Sequence, residues 1–208
     1  VPRIKFAILD LDGVILRTRS SWQLLHRRIG TENIACVHRE AAWRGLIDYA
    51  EWALIDVFLW MGSPRGWARC SYLDLTPGAV RLLKLLYRYK VITVILSGGL
   101  DIACPLLKHY VDLYISNRLV FENGVVTSVR VHVNSKQTYA DFLERLLRVD
   151  WSKTLAIGDS IIDVPVLKRA EYSIAFNPAD EEITKVAKIV VYSNSLDPVV
   201  DIVSRLLQ

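Results

Sequence analysis

The stretch Lys5-Phe6-Ala7-Ile8-Leu9-Asp10-Leu11-Asp12-Gly13-Val14 constrains this chain more than any other. Its apolar run reads as a strand buried on both faces, the pattern of a parallel sheet covered by helices. The run ends in two carboxylates, and Gly13 follows them directly. In extended backbone, side chains at i and i+2 point the same way. Asp10 and Asp12 are therefore predicted to face one site at the carboxyl end of a central strand, where open α/β sheets bind ligands. Two like charges held together repel, so the pair calls for a cation or a shared proton.

The rest of the chain supplies the sheet. Strands are predicted at 91–96, 113–115, 154–157, 172–176 and 189–192. They alternate with helices at 78–89, 100–110, 138–148, 164–169, 181–187 and 199–207, the first capped by Thr76 with Pro77 at its first position. Segments 118–121 and 125–133 flank Asn123-Gly124 and read as a hairpin. This alternation predicts an α/β fold: a doubly wound parallel sheet, Rossmann-like, with a small β-hairpin.

Between the first strand and the rest lies a segment of different character, 17–75, which holds every tryptophan except Trp151. Ser20 and Gly30 bracket a first helix in it. Trp43, Leu46, Ile47, Ala50, Leu54, Val57, Phe58 and Met61 follow helical spacing and read as a core-packing stripe. The expected organisation is a catalytic core of 1–16 and 76–208, with 17–75 inserted as a helical cap.

Composition narrows the function classes. A 52% apolar and 23% charged chain is globular, and its net charge of +4 comes without a dense basic run, so no nucleic-acid partner is expected. The longest apolar stretch, 53–61, contains Asp56 and falls short of the about 20 residues a bilayer span needs, so no membrane partner is expected either. Cys36, Cys70 and Cys104 are odd in number and far apart, as free thiols in a reducing compartment are. With no leader ahead of the first strand, the expectation is a cytoplasmic protein. Any tryptophan left exposed would offer a homodimer contact.

Three further pieces carry chemistry. Ser97-Gly98-Gly99 is expected in a strand-to-helix turn, where a hydroxyl and free amides suit an oxyanion. Gly158-Asp159-Ser160-Ile161-Ile162-Asp163 places two more carboxylates at a strand end. Lys136, expected just before a helix, supplies the fixed positive charge that an acidic cleft needs to receive a phosphate. Carboxylate oxygens are the ligands Mg²⁺ prefers, and a carboxylate can attack phosphorus to give an aspartyl-phosphate. The set points to phosphoryl transfer to water.

In order and spacing, Asp10-Leu11-Asp12-Gly13-Val14, Ser97-Gly98-Gly99, Lys136 and Asp159 with Asp163 resemble the four motifs of the haloacid dehalogenase superfamily. The helical insert after the first motif is similar to the phosphoserine phosphatase branch, as are Ser97-Gly98-Gly99 and Ser116-Asn117-Arg118-Leu119. The resemblance implies a Mg²⁺-dependent phosphomonoester hydrolase acting on a small phosphorylated metabolite. It implies Asp10 as nucleophile and Asp12 as general acid/base that also lends its backbone carbonyl to the metal. It further implies Ser97, Gly98 and Lys136 on the phosphate, Asp159 on the metal, and Asp163 in support of both metal and lysine. True dehalogenases lack the second aspartate of the first motif, so Asp12 argues against carbon–halogen chemistry. A phosphomutase of the same superfamily and a non-catalytic phosphate-ligand binding protein are the alternatives.

Departures from the pattern concern the substrate. Phosphoserine phosphatases carry a glutamate for the substrate's amino group where this chain has Arg19. Their carboxylate-gripping cap arginine aligns near Asp56, and the asparagine that often precedes the last aspartate is Ile162. Arg17 and Arg19 are expected as solvated residues of the cap linker, the alternative being that near the cap hinge they favour a more anionic phosphate ester than L-phosphoserine.

Overall fold

The computed structural model describes residues 3–71 and 74–208. In chain order the elements are β1 (Phe6–Leu9), α1 (Ser21–Ile29), α2 (Glu32–Trp43), α3 (Tyr49–Phe58), α4 (Ala79–Arg88), β2 (Ile92–Leu100), α5 (Cys104–Leu107) and β3 (Leu113–Glu122). There follow β4 (Val125–Arg130), α6 (Lys136–Leu147), β5 (Thr154–Gly158), α7 (Val164–Arg169), β6 (Tyr172–Phe176), α8 (Glu181–Val186), β7 (Ile189–Val191) and α9 (Asp197–Leu207).

The strands form one sheet in the order β4-β3-β2-β1-β5-β6-β7, parallel except for the β3–β4 hairpin. β1 lies in the middle, with Leu9 level with Ile95 of β2 and Ile157 of β5. Its four residues are all buried and alternate between two cores, as a two-residue period requires. Ala7 and Leu9 pack with α4 and α9 on one face, through Leu82, Leu86, Val199 and Val203. Phe6 and Ile8 pack with α6, α7 and α8 on the other, through Leu143, Val166 and Ile183. Burying each such Leu, Ile or Val is worth about 1.5–3 kcal/mol. Two covered faces explain why the strands read as continuous apolar runs.

The helices α1–α3 branch off after β1. Where the chain departs and where it returns, it runs side by side: Leu16 bridges Leu75, Arg17 N–H donates to Asp74 O at 2.9 Å, and Thr76 N–H donates to Ile15 O at 2.9 Å. Beyond α3, the backbone of Gly62, Ser63 and Arg65 bonds to Gly124 and Val126 of the hairpin. Asn123 and Gly124 both take positive φ, as a two-residue hairpin turn of the primed kind needs.

Several local expectations change. The stripe from Trp43 to Met61 is not one helix face. Residues 44–48 break it, with Gly45 at φ +69 and Asp48 starting α3 in a reciprocal capping box with Glu51. Of the stripe's residues only Val57 is buried, whereas Trp43 and Phe58 are 77% and 72% exposed. Thr76 does not cap α4, because Gly78 at φ +87 takes that place and the helix opens at Ala79. Ser97-Gly98-Gly99 lies inside β2, which continues to Leu100 past a register shift, and only a 3₁₀ turn and the short α5 stand where a longer helix was expected. Cys36 is exposed and Cys70 half-buried, both as free thiols; the side chain of Cys104 falls outside the described residues. Among the described residues, no helix is long and apolar enough to cross a membrane.

Candidate active site

The carboxyl ends of β1, β2 and β5 meet at one cleft of about 280 Å³. Asp10 leaves β1 directly into it, and the Leu11 N–H donates to its Oδ1 at 2.7 Å. Lys136, the first residue of α6 rather than a residue before it, reaches in from the side. Its Nζ lies 2.8 Å from Asp10 Oδ1 and 2.5 Å from Asp163 Oδ1. The other oxygen of Asp163 accepts from the N–H groups of Asp159 and Ser160 at 3.0 and 3.1 Å, which fixes the loop after β5. Ligand atoms of Asp10, Asp159 and Asp163 lie within 4.8 Å of one another, and all three residues are buried.

Gly13 makes room for this cluster. It sits at φ +77, and a Cβ there would stand 2.1 Å from Asp159 Oδ2. A side chain at 13 would meet both the backbone penalty and the carboxylate.

Asp12 turns to a different partner. Its Oδ2 accepts from both the N–H and the hydroxyl of Ser21, and its Oδ1 is buried without a hydrogen-bond partner. It lines the same cleft, but its carboxylate is not part of the three-aspartate group. Ser97, 1% exposed, accepts from Gly99 N–H through Oγ at 3.0 Å, which leaves the hydroxyl proton to donate.

A scaffold that sequence reasoning did not single out holds this wall. The Gly98 carbonyl accepts from Tyr49 Oη, Trp22 Nε1 and Asn117 Nδ2 at 2.6, 3.3 and 2.8 Å. Asn117 is fully buried, and its Oδ1 accepts from His132 and Val133 N–H, so one amide ties β2 to the segment that leads to Lys136. The signal available was its place in Ser116-Asn117-Arg118-Leu119; an asparagine inside an apolar strand needs several partners to be buried. Ser21, Tyr49 and Trp22 had no comparable signal.

Arg19 also lines the cleft, where its Nη2 donates to the Asn177 carbonyl at 3.0 Å. Asp56 is buried, and its two oxygens face His26 Nε2 at 3.2 Å and His38 Nδ1 at 2.7 Å.

The electrostatics follow from burial. It pushes the Asp10 carboxyl well above its ordinary range, with Asp163 adding to the effect and Lys136 opposing it. Burial pushes Asp12 up to about 6, against the two hydrogen bonds from Ser21. Asp159 is pushed up to about 7 by burial and by Asp163, while Lys136 and Arg19 pull it down. Burial works against the Lys136 charge as well, but Asp10 and Asp163 override it and raise its pKa. One ammonium does not balance this many buried carboxylates, and a pure oxygen donor set is what a hard divalent cation takes. The residues present therefore fit such an ion.

Residues 86–203, more than half of the chain, match the haloacid dehalogenase-like hydrolase family. The chain belongs to that family. The phosphoserine phosphatase of Methanocaldococcus jannaschii is 24% identical over 180 residues, 83% of this chain and 85% of its own. In fold, a phospho-aspartyl intermediate analogue of phosphoserine phosphatase gives a TM-score of 0.75 at 22% identity, over 96% of this chain and 98% of its own. A substrate-bound phosphoserine phosphatase complex gives 0.75 at 21% identity with the same coverage. Within this family the chain is thus similar to phosphoserine phosphatases in sequence, and it shares their fold. The family match begins in α4, so Asp10 and Asp12 lie outside the matched residues.

Proposed function

We propose that this hydrolase is a Mg²⁺-dependent phosphomonoesterase, acting on a small phosphorylated metabolite through an aspartyl-phosphate on Asp10. The observation that carries the reading is the meeting of Asp10, Asp159, Asp163 and Lys136 in one buried group. Asp10, Asp159 and the Asp12 backbone carbonyl would hold the ion, with Asp163 supporting it through Lys136 and the β5 loop. When bound, the ion offsets the charge of the phosphoryl oxygens.

The protein's own groups then divide the work. Asp10 Oδ1 is held by Leu11 N–H and Lys136, so Oδ2 is the oxygen that attacks phosphorus. As the new O–P bond forms, the ester P–O bond breaks and Asp12 gives its proton to the departing oxygen. Asp12 then takes a proton from a water, whose oxygen attacks phosphorus, frees Asp10 and releases inorganic phosphate. A carboxyl pushed up to about 6 holds and gives up a proton near neutral pH, which suits that double duty. Ser97, the Gly98 backbone and Lys136 hold the phosphoryl oxygens.

Residues 17–75 act as the cap in this reading. The Leu16–Leu75 bridge supports it, since the chain leaves the sheet for α1–α3 and returns through two connections paired side by side. A fold relative solved as a phospho-aspartyl intermediate analogue supports the covalent step, and a substrate-bound one supports a small phosphorylated substrate.

The test is acid-quench mass spectrometry of the protein turning over a phosphate ester with Mg²⁺. A phosphoryl mass is expected on the peptide that contains Asp10, and Asp10→Asn is expected to lose both label and turnover. Asp12→Asn is expected to keep Mg²⁺ binding and slow turnover by about 10²–10⁴. Undiminished turnover in Asp10→Asn would overturn the assignment.

A further inference from the structure

Resting on the phosphatase reading, we infer that the substrate is the phosphate ester of a hydroxycarboxylic acid that carries no amino group, with Arg19 reading its carboxylate. The charged residues that line the cleft are Asp10, Asp12, Asp159, Lys136 and Arg19. The three carboxylates belong to the reacting end, and Lys136 is paired with Asp10 and Asp163. What is left for the leaving group is Arg19.

That guanidinium is anchored rather than free. One nitrogen donates to the carbonyl of Asn177, which ties the cap linker to the loop after β6. A guanidinium has five N–H donors in a planar fork, and one of them is used here, which leaves others for a carboxylate. An ammonium is served differently. Among the described lining residues no carboxylate stands outside the reacting group.

Asp56 does not fill that role. Both its oxygens are occupied by histidines inside the helical region, and it does not line this cleft. The rest of the lining includes Trp22, Tyr49 and Trp52 beside the uncharged polar residues Ser20, Asn134, Ser135 and Ser160. The Tyr49 hydroxyl and Trp22 indole N–H are spent on the Gly98 carbonyl, so those two rings offer the substrate carbon surface. A substrate ammonium would stand beside the like charge of Arg19 with no carboxylate of its own, an arrangement that repels. A site of about 280 Å³ holds only a short carbon chain beyond the phosphate.

The experiment compares four esters on the intact Mg²⁺-loaded protein by free-phosphate release. They are p-nitrophenyl phosphate, glycerol phosphate, L-phosphoserine and 3-phosphooxypropanoate, which is phosphoserine without its amine. The aryl ester tests the phosphatase reading alone: if none of the four is hydrolysed, that reading falls. Given aryl turnover, the expected result is a kcat/KM for 3-phosphooxypropanoate at least tenfold above both glycerol phosphate and L-phosphoserine. Arg19→Gln should shrink both ratios to less than threefold; a ratio within one variant does not depend on how much of it is folded. Aryl turnover with L-phosphoserine equal or better, with no activity on either carboxylated ester, or with ratios that Arg19→Gln leaves unmoved, overturns the substrate inference and leaves the phosphatase reading standing.

Discussion

Ser21 donates twice to the same oxygen of Asp12, through its backbone N–H and its hydroxyl, each at 2.8 Å. The same hydroxyl accepts from Leu100 N–H at 2.8 Å, so the first residue of α1 is locked between the loop after β1 and the end of β2. The orientation of the proposed acid–base group is thus set by the helical region, through a residue with no charge. Hydrogen bonds to a charged group are worth about 1.5–3 kcal/mol each. Ser21→Ala removes one of the two and is expected to lower kcat about 10- to 100-fold on an alkyl phosphate. The loss should be smaller on p-nitrophenyl phosphate, whose leaving group needs little proton transfer. Ser21→Thr should restore the alkyl rate. Equal losses on both esters would mean that Ser21 serves folding only.

Gly99 lies against that contact. A Cβ on it would stand 2.3 Å from Asp12 Oδ2 and 2.5 Å from Ser21 Oγ. Gly99→Ala must push the carboxylate aside, while β2 keeps its backbone bonds. Turnover is expected to fall at least 10²-fold, with a melting temperature within a few degrees of the parent; full activity in this variant would show that Asp12 tolerates another orientation.

The buried carboxylates set a pH dependence. Asp10 and Asp159 have folded pKa values raised above the about 3.9 of a free aspartate, Asp159 to about 7. The folded state therefore binds more protons than the unfolded one between those values. Without a divalent ion, the stability these groups give is complete below about pH 4 and is lost as pH rises toward 7. Mg²⁺ takes the place of the protons, so its stabilisation should grow over the same range. Thermal melts with chelator and with Mg²⁺, at pH 5, 6, 7 and 8, are expected to show a widening gap. A gap that stays constant across these pH values would count against Asp10 and Asp159 as ligands.

Asp56 is a structural group by its contacts. It accepts a hydrogen bond from His38 on α2 and lies 3.2 Å from His26 Nε2 on α1, while itself sitting on α3. Asp56→Ala removes the His38 partner and the carboxylate beside His26, an expected loss of about 1–3 kcal/mol. Urea unfolding should show that loss. Unchanged stability would mean that the three helices hold together without this carboxylate.

The candidate site's acidic residues were legible in the sequence. Asp10 and Asp159 directly follow β1 and β5, whereas Ser97 lies inside β2 and Lys136 opens α6, places that the apolar pattern did not give. The central strands were legible because β1 and β5 are buried on both faces and so carry apolar runs, as Phe6–Leu9 and Leu155–Ile157 do. The helical region was not. Trp43, Leu46 and Phe58 keep helical spacing yet face outward, because the break at 44–48 rotates α3 relative to α2. Periodicity measures a local repeat, and it cannot tell which side of a helix another element will cover.

By itself, then, the sequence determined the sheet, its strand ends and the acidic and basic groups placed on them, since those depend on residue type and short-range spacing. Only the tertiary structure decided which groups share a partner: that Ser21 holds Asp12, that Asn117 joins β2 to the Lys136 segment, that Asp56 turns inward to two histidines, and that Arg19 reaches Asn177. These contacts join residues up to 158 positions apart. Their energies arise from distances that exist only once the chain has closed, and no local pattern encodes them.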